Sequence, residues 1–419
     1  MSENVVQYLK NRGLVADQTH DNLDEILSKK RVAVYAGFDP TNDSLTVGNL
    51  TIIMLLRRFQ RFGHKPIAVV GGGTALVGDP SGKDAERTLQ TVDDVRARAE
   101  KIREELSRFL TFGDGPSDAV LVNNYDWLSE LDLIAFLRDV GKYFRVQDMI
   151  ARESVKRRLG SQSGISFTEF SYQLMQAYDF LHLFKTHNCE MQVGGSDQWG
   201  NITAGTDLIG RVMGKQAYGL TGPLLTDSRG RKIGKTEDGT GTVWLNPEMT
   251  KPFDFYQYWV RTDDQTVMSL FRTFTDVTND ELRDIEAQIT SSPNAAQKRL
   301  AFEITALVHG REQAEQAAAA ARDVFAGGKS EDAPTTALTA AQLDGMSVAD
   351  AFMLAGLVPS KGEARRRAKA GGIYVNDERV DNADAVLAPS VFDADGRCLL
   401  RFGKKISISS RSSAKRSNP

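Results

Sequence analysis

RVAVYAG at residues 31–37 and IAVVGGG at 67–73 are short apolar runs that each end in glycine, and the stretch between them, Leu50 to Phe62, repeats its apolar residues at helical spacing. Strand, helix, strand is the reading they impose. Such a βαβ unit implies a parallel sheet with ligands beyond the carboxyl ends of its strands, so the glycine endings are where chemistry is expected. Working outward, helical periodicity returns over 92–110 and 167–184, and Cys189–Gly195 reads as another buried strand. An alternating α/β domain with a parallel sheet is expected over residues 1–225, followed by a glycine-containing loop region at 226–250.

From 251 to 326 the pattern is mostly helical, with FYQYWV, a break at Pro293 and the Ala-rich run at 317–321. GGKSEDAPTTALTAAQLDG at 327–345 has a linker's composition, and a closing module with a basic tail occupies 346–419. A chain of 419 residues fits two or three domains, and 41% hydrophobic with 26% charged residues excludes a chain disordered or collagen-like as a whole. The uncharged stretch Pro66–Gly78 is 13 residues long, against roughly 20 needed to span a bilayer, so no membrane partner is expected. MSENVVQYLKNRG carries no apolar secretory run, and Cys189 and Cys398 are the only cysteines, which suits a reducing, cytoplasmic location.

The net charge of −3 is unevenly divided. From Gly356 onward 13 Lys or Arg face 7 Asp or Glu, a balance of +6 that leaves −9 on the rest of the chain. A basic module on an acidic body points toward nucleic acid.

Two glycine–lysine segments invite a phosphate-loop reading, but Gly78 to Gly82 in GDPSGKD and Gly230 to Gly234 in GRKIGKT each enclose three residues where a Walker loop needs four. YAGFDPTNDSLTVGNL at 35–50 fits a different nucleotide arrangement. Gly48 falls on the first turn of the helix, where a missing Cβ lets a flat ring approach the backbone and free N–H groups can meet phosphate. Lys232 and Lys235 stand three apart, and Lys83 and Arg87 four apart, as cations able to meet phosphate charge. Tyr172, Gln176 and Asp179 lie at i, i+4 and i+7, on one face of a helix. The five histidines are scattered and no paired cysteine spacing exists, so no protein-bound metal is expected.

With GGSDQWGN at 194–201, KIGKT at 232–236, NNYDW at 123–127 and GISFTEFSYQLMQAYDF at 164–180, the chain resembles the class I aminoacyl-tRNA synthetases, most closely those of the bacterial tyrosyl type. The resemblance implies a Rossmann-like catalytic domain, a helical anticodon-binding domain, a small C-terminal S4-like α+β domain and a homodimer. It implies that L-tyrosine and ATP, with Mg2+ accompanying the nucleotide, form tyrosyl-adenylate, and that tyrosyl then passes to the terminal adenosine of tyrosine tRNA. Lys232, Lys235 and Thr236 match the KMSKS motif, while Lys83, Arg87 and Thr41 would join them at the phosphates. Tyr35 and Asp179 match the phenol-reading pair, a discrimination for which tyrosyl-tRNA synthetases are themselves the standard instance.

Tyr172, Gln176 and Asp79 match positions around the α-ammonium group, and Gln192 a substrate contact. Gly37, Asp39, Gly48, Asn49, Gly195, Asp197 and Gln198 match the ATP side. Asn124 and Trp127 are taken as structural. The clearest departure is Thr46-Val47-Gly48-Asn49, where the class carries His-Ile-Gly-His; a threonine cannot become cationic, so a catalytically impaired RNA-binding paralogue stands as the alternative. For RNA, Arg152, Lys156, Arg157 and Arg158 form one basic cluster, and Lys361, Arg365, Arg366 and Lys369 form a basic helix face suited to phosphate.

Overall fold

A computed structural model describes residues 3–80, 91–161, 164–228, 230–234, 241–292, 294–325, 335–338, 340–343, 345–376, 378–393, 396–402 and 405–411. Lys83, Arg87, Lys235, Thr236 and most of the expected linker lie outside the described residues. The chain divides into two units, Met1–Met249 with Gln265–Asp284, and Thr250–Asp264 with Ile285–Pro419.

The first unit is built on β1 (Asp17–Gln18), β2 (Ala33–Phe38), β3 (Lys65–Val70), β4 (Val120–Asn123), β5 (Cys189–Gly195) and β6 (Tyr218–Gly222), in the spatial order β1-β6-β5-β2-β3-β4. Every neighbouring pair is parallel except the edge pair β1–β6. The two opening apolar runs lie side by side, Tyr35 opposite Ile67 and Gly37 opposite Val69. Connections run away from β2 in both directions, through β3 and β4 on one side and β5 and β6 on the other, which makes the β2/β5 boundary the switch point where a crevice opens.

The helices of this unit up to β6 are α1 (Val5–Asn11), α2 (Leu23–Lys29), α3 (Val47–Arg61), α4 (Val92–Leu106), α5 (Tyr125–Leu128), α6 (Leu133–Asp139), α7 (Val146–Ile150), α8 (Glu153–Leu159), α9 (Phe167–His187) and α10 (Trp199–Met213). Helix α3 starts where Thr46 caps it and buries Leu50, Ile53, Met54 and Phe59. Between α9 and α10 the packing is close because Gly205 faces Phe180; a Cβ there would sit 2.8 Å from the ring.

Residues 265–284, which the sequence groups with the helical segment, belong to this first unit. Two buried guanidiniums account for it. Arg12 donates to the carbonyls of Phe271, Arg272, Thr275 and Val277, and Arg58 to those of Arg272, Thr273 and Thr275. These carbonyls belong to the last turn of a helix running Asp264–Phe274 and the residues just after it, and a cation there also meets the negative end of the helix dipole.

In the second unit, Trp259 and Phe255 of Pro252–Val260 are buried with Leu300 and Ile304 of Ala295–His309, and the ring of His309 meets Phe255 edge-on. Its sheet consists of β7 (Thr335–Leu338), β8 (Ile373–Val375), β9 (Glu378–Arg379), β10 (Arg397–Phe402) and β11 (Lys405–Arg411), ordered β7-β11-β10-β8-β9 and antiparallel except for β7–β11. The helix Lys361–Lys369 buries Ala364 and Ala368, four apart, in a core with Phe352, Ile373 and Leu400, and so turns its cations outward. The architecture is therefore a parallel Rossmann-like sheet with helices, followed by helices and a small C-terminal α+β domain.

Candidate active site

A cavity of about 470 Å³ opens at the carboxyl ends of β2 and β5 and runs to the start of α3. Residues singled out from sequence line it together: Tyr35, Gly37, Asp39, Thr41, Thr46, Gly48, Asn49, Asp79, Tyr172, Gln176, Asp179, Gln192 and Lys232. Gly195, Asp197 and Gln198 line it as well. Glycine is required just past β3, where a Cβ on Gly71 would lie 2.0 Å from Asp39 Oδ1, but not at Gly37, where one would meet nothing within 4 Å.

At the closed end, Asp179 is buried and both its oxygens are occupied: Trp127 Nε1 donates to Oδ1 at 2.7 Å and Asn124 Nδ2 to Oδ2 at 2.9 Å. Asn124 is itself fixed, accepting from the Gly73 N–H at 2.7 Å and donating to Thr74 Oγ1 at 3.0 Å. Asn124 and Trp127, read from sequence as structural, hold the buried Asp179 carboxyl in place. The cue available in sequence was position: NNYDW begins at the carboxyl end of a sheet strand, β4, where Asn123 lies opposite Val70 at the end of β3. Three buried polar atoms on the cavity wall have no partner, the Tyr35 hydroxyl, Gln176 Oε1 and Gln192 Oε1. Orphaned groups of this kind are costly unless a ligand completes them.

Burial pushes the Asp179 carboxyl up to about 8, against the opposing pull of the Asn124 and Trp127 hydrogen bonds, and Asp39 adds to the rise. The sign for stability follows. Between the ordinary carboxylate value near 4 and about 8 the empty folded protein holds a proton that the unfolded chain has released, so this group's contribution is present below pH 4 and lost as pH rises to about 8. Urea unfolding at pH 5 and pH 8 is expected to show a smaller loss of stability with rising pH in Asp179→Asn than in the unaltered protein. Equal pH dependence in the two would contradict the assignment.

A polar chain crosses the middle of the cavity. Gln198 Nε2 donates to Asp79 Oδ2 at 2.7 Å, Gln176 Nε2 donates to Gln198 Oε1 at 3.2 Å, and Tyr172 donates to Asp39 Oδ2 at 3.3 Å. Asp39 also accepts from Thr74 Oγ1 at 2.9 Å.

At the open end, Thr46 and Asn49 form a capping box: the Thr46 N–H and hydroxyl both donate to Asn49 Oδ1, and the Asn49 N–H donates back to Thr46 Oγ1. The hydroxyl that replaces the first histidine of the class signature is thus engaged in fixing the start of α3, where Gly48 and Asn49 line the cavity. Lys232 is half-exposed and its Nζ lies 3.3 Å from Asp197 Oδ2.

The RNA candidates are less uniform than their spacing suggests. Lys156 and Arg157 are exposed on α8, but Arg158 is buried with 1% of its side chain accessible and forms a two-pronged pair with the equally buried Glu169, at 3.0 and 2.6 Å. Arg158 therefore leaves the basic cluster: it ties α8 to the start of α9. Arg152 is partly covered, its guanidinium lying against Gly200. In the C-terminal domain Lys361 pairs with Asp350 at 2.5 Å, Arg365 with Asp384 at 2.9 Å and Arg366 with Glu363, while Lys369 pairs with no acidic side chain among the described residues. Among the described residues no group of three or more His, Cys, Asp or Glu is arranged to hold a metal ion, and no helix is long and apolar enough to cross a membrane.

Residues 27–326 match the family model of the class I tRNA synthetases for W and Y, and residues 326–407 that of the tyrosine–tRNA ligase SYY-like C-terminal domain. A tyrosine–tRNA ligase of Geobacillus kaustophilus is 46% identical over 413 residues, covering 94% of this chain and 96% of that protein. Tyrosine–tRNA ligase 2 of Enterococcus faecalis is 46% identical over 419 residues, covering 97% and 98%. Among solved structures, the C-terminally truncated mitochondrial tyrosyl-tRNA synthetase of Aspergillus nidulans superposes with a TM-score of 0.69 at 31% identity, over 77% of this chain and 95% of that one. With the motifs, the fold and near-complete alignment to these relatives in agreement, the chain belongs to the tyrosine–tRNA ligases, within the class I tRNA synthetases.

Proposed function

We propose that this protein is a tyrosine–tRNA ligase that activates L-tyrosine with ATP and transfers the tyrosyl group to the terminal adenosine of tyrosine tRNA. The observation that carries the reading is the closed end of the cavity, where an unpartnered Tyr35 hydroxyl and the anchored Asp179 carboxylate wait for a group that both accepts and donates. A phenol does both; a phenyl ring would leave the pair unsatisfied. Asp79, Gln176 and Tyr172 receive the α-ammonium group, and Gln192 completes its orphaned oxygen on the substrate.

The first step joins a tyrosine carboxylate oxygen to the α-phosphorus of ATP and breaks the bond to the bridging oxygen, releasing pyrophosphate. The attacking group is already a nucleophile, so the protein's work is to align it and to offset charge on the leaving group. Asp39, Asp197 and Gln198 hold the nucleoside, and Gly37 and Gly48 let it lie close to the backbone. Lys232, Lys235, Thr236, Lys83, Arg87, Thr41 and the start of α3, fixed by Thr46 and Asn49, meet the phosphates. Magnesium enters with ATP as part of the substrate. In the second step a ribose hydroxyl of the tRNA terminus attacks the tyrosyl carbonyl and AMP leaves.

The tRNA is held through phosphate by Arg152 and Lys156 in the catalytic domain at 1–225, by the helical segment 251–326, and by Lys361, Arg365, Arg366 and Lys369 of the module at 346–419 beyond the linker at 327–345. Self-association as a homodimer is supported by an apolar surface on consecutive helices, with Leu133 66% exposed, Ile134 69% and Val146 59%. A cytoplasmic location is supported by the two cysteines, Cys189 and Cys398, both free thiols. A charging assay with tyrosine, ATP and matched tyrosine tRNA tests the whole reading; folded protein that forms no tyrosyl-tRNA would defeat it.

A further inference from the structure

We infer that Glu105 is a positioning residue for the nucleotide half of the reaction: from α4 it fixes the turn that leads into α3 and, through that turn, the segment that follows the KIGKT lysines. The inference rests on the reading of the open end of the cavity as the ATP site.

Glu105 is only 4% exposed, in the last turn of α4, and is not among the residues that line the cavity. Its two oxygens accept from Ser44 Oγ at 2.6 Å and from the Leu45 N–H at 2.7 Å. Short bonds to both oxygens are what keep a buried carboxylate tolerable. The same helix holds the preceding residue, since Arg98 and Lys101 pair with Asp43 at 3.2 and 2.7 Å. That pair is exposed and worth little by itself; the buried one sets the geometry.

The turn in turn holds the second wall. Ser44 Oγ accepts from the Asn246 N–H at 3.1 Å, the Leu45 carbonyl accepts from the Leu245 N–H at 2.9 Å, and the Val47 N–H donates to the Val243 carbonyl at 3.1 Å. The Val243 N–H then reaches the carbonyl of Gly234 at 2.9 Å. Gly234, at φ +99°, lies so close to the start of α3 that a Cβ would be 3.2 Å from the Gly48 nitrogen. One buried carboxylate thus anchors the turn, the start of α3 and the backbone that carries Lys232. The phenol end rests on other supports, β2, α9 and Asn124, and does not depend on it.

The test is tyrosine-dependent ATP–pyrophosphate exchange on Glu105→Ala, Ser44→Ala and Glu105→Gln, with tyrosine affinity measured separately by equilibrium dialysis. Glu105→Ala and Ser44→Ala are expected to raise KM for ATP about 10- to 100-fold while tyrosine affinity stays within about twofold. Glu105→Gln keeps an oxygen for Leu45, and Ser44 can turn its hydroxyl to the Leu45 carbonyl, already 2.9 Å away, so this variant is expected within about threefold of the unaltered protein. An unchanged KM for ATP, or parallel loss of ATP and tyrosine binding that tracks melting temperature, would overturn the inference. If Glu105→Ala does not fold, Ser44→Ala, which removes one hydroxyl, decides by the same criterion. No exchange in the unaltered protein would instead defeat the tyrosine-activating reading.

Discussion

Replacing Asp179 with asparagine is expected to lower kcat/KM for tyrosine activation at least about a hundredfold, the scale of leaving hydrogen-bonding groups unpaired in a buried site. The substitution is nearly isosteric, so shape is not the cause. Trp127 and Asn124 both donate to residue 179, and Asn124 cannot turn over because its oxygen accepts from the Gly73 N–H. An amide there has one oxygen to answer two fixed donors, and its own NH2 must face a donor or the phenol. Either arrangement leaves a buried polar group unpaired. Because phenylalanine never used that acceptor, its weak activation should change far less, and the ratio of the two substrates should fall. Exchange kinetics with each amino acid measure the ratio; an Asp179→Asn variant that keeps its preference for tyrosine would remove Asp179 from the phenol site.

The second large effect concerns stability. Glu169→Ala strands the Arg158 guanidinium, 1% accessible, with the Gly164 carbonyl as an acceptor at 3.1 Å, and is expected to cost about 3–5 kcal/mol of unfolding free energy. The pair is not expected to be a large net stabiliser. Exchanging both partners for apolar residues, Arg158→Met with Glu169→Leu, should therefore recover most of the loss. Urea unfolding of the single and double variants separates these terms. A single variant within about 1 kcal/mol of the unaltered protein would show that the pair is hydrated after all.

Much of this was legible in the chain, and the reason is local repetition. Two apolar runs ending in glycine define β2 and β3, and the i, i+4, i+7 spacing of Tyr172, Gln176 and Asp179 puts them on one helix face whatever the rest of the fold does. Residues whose meaning depends on distant partners were not readable in the same way. Trp127 and Asn124 meet Asp179 across 52 and 55 residues, a pairing created by the sheet order rather than by any pattern in NNYDW.

Arg158 sits between Arg157 and Leu159 and looks like one more surface cation until Glu169 is found opposite it. Glu105 offered a faint signal, since it falls on the buried stripe of α4 with Ile102 and Leu106, where a charge needs a partner. The grouping of residues 265–284 with the catalytic unit was hidden for the same reason, because Arg12 and Arg58 reach their carbonyls over more than 200 residues.

Tyrosine-dependent ATP–pyrophosphate exchange, with phenylalanine and tryptophan as controls and Thr46→His run beside the unaltered protein, tests the central claim most directly. Strong exchange with tyrosine alone is the expected result, with Thr46 serving as the cap that fixes the start of α3. Absence of exchange in the unaltered protein, restored by Thr46→His, would contradict it and would favour an RNA-binding paralogue that has lost its chemistry.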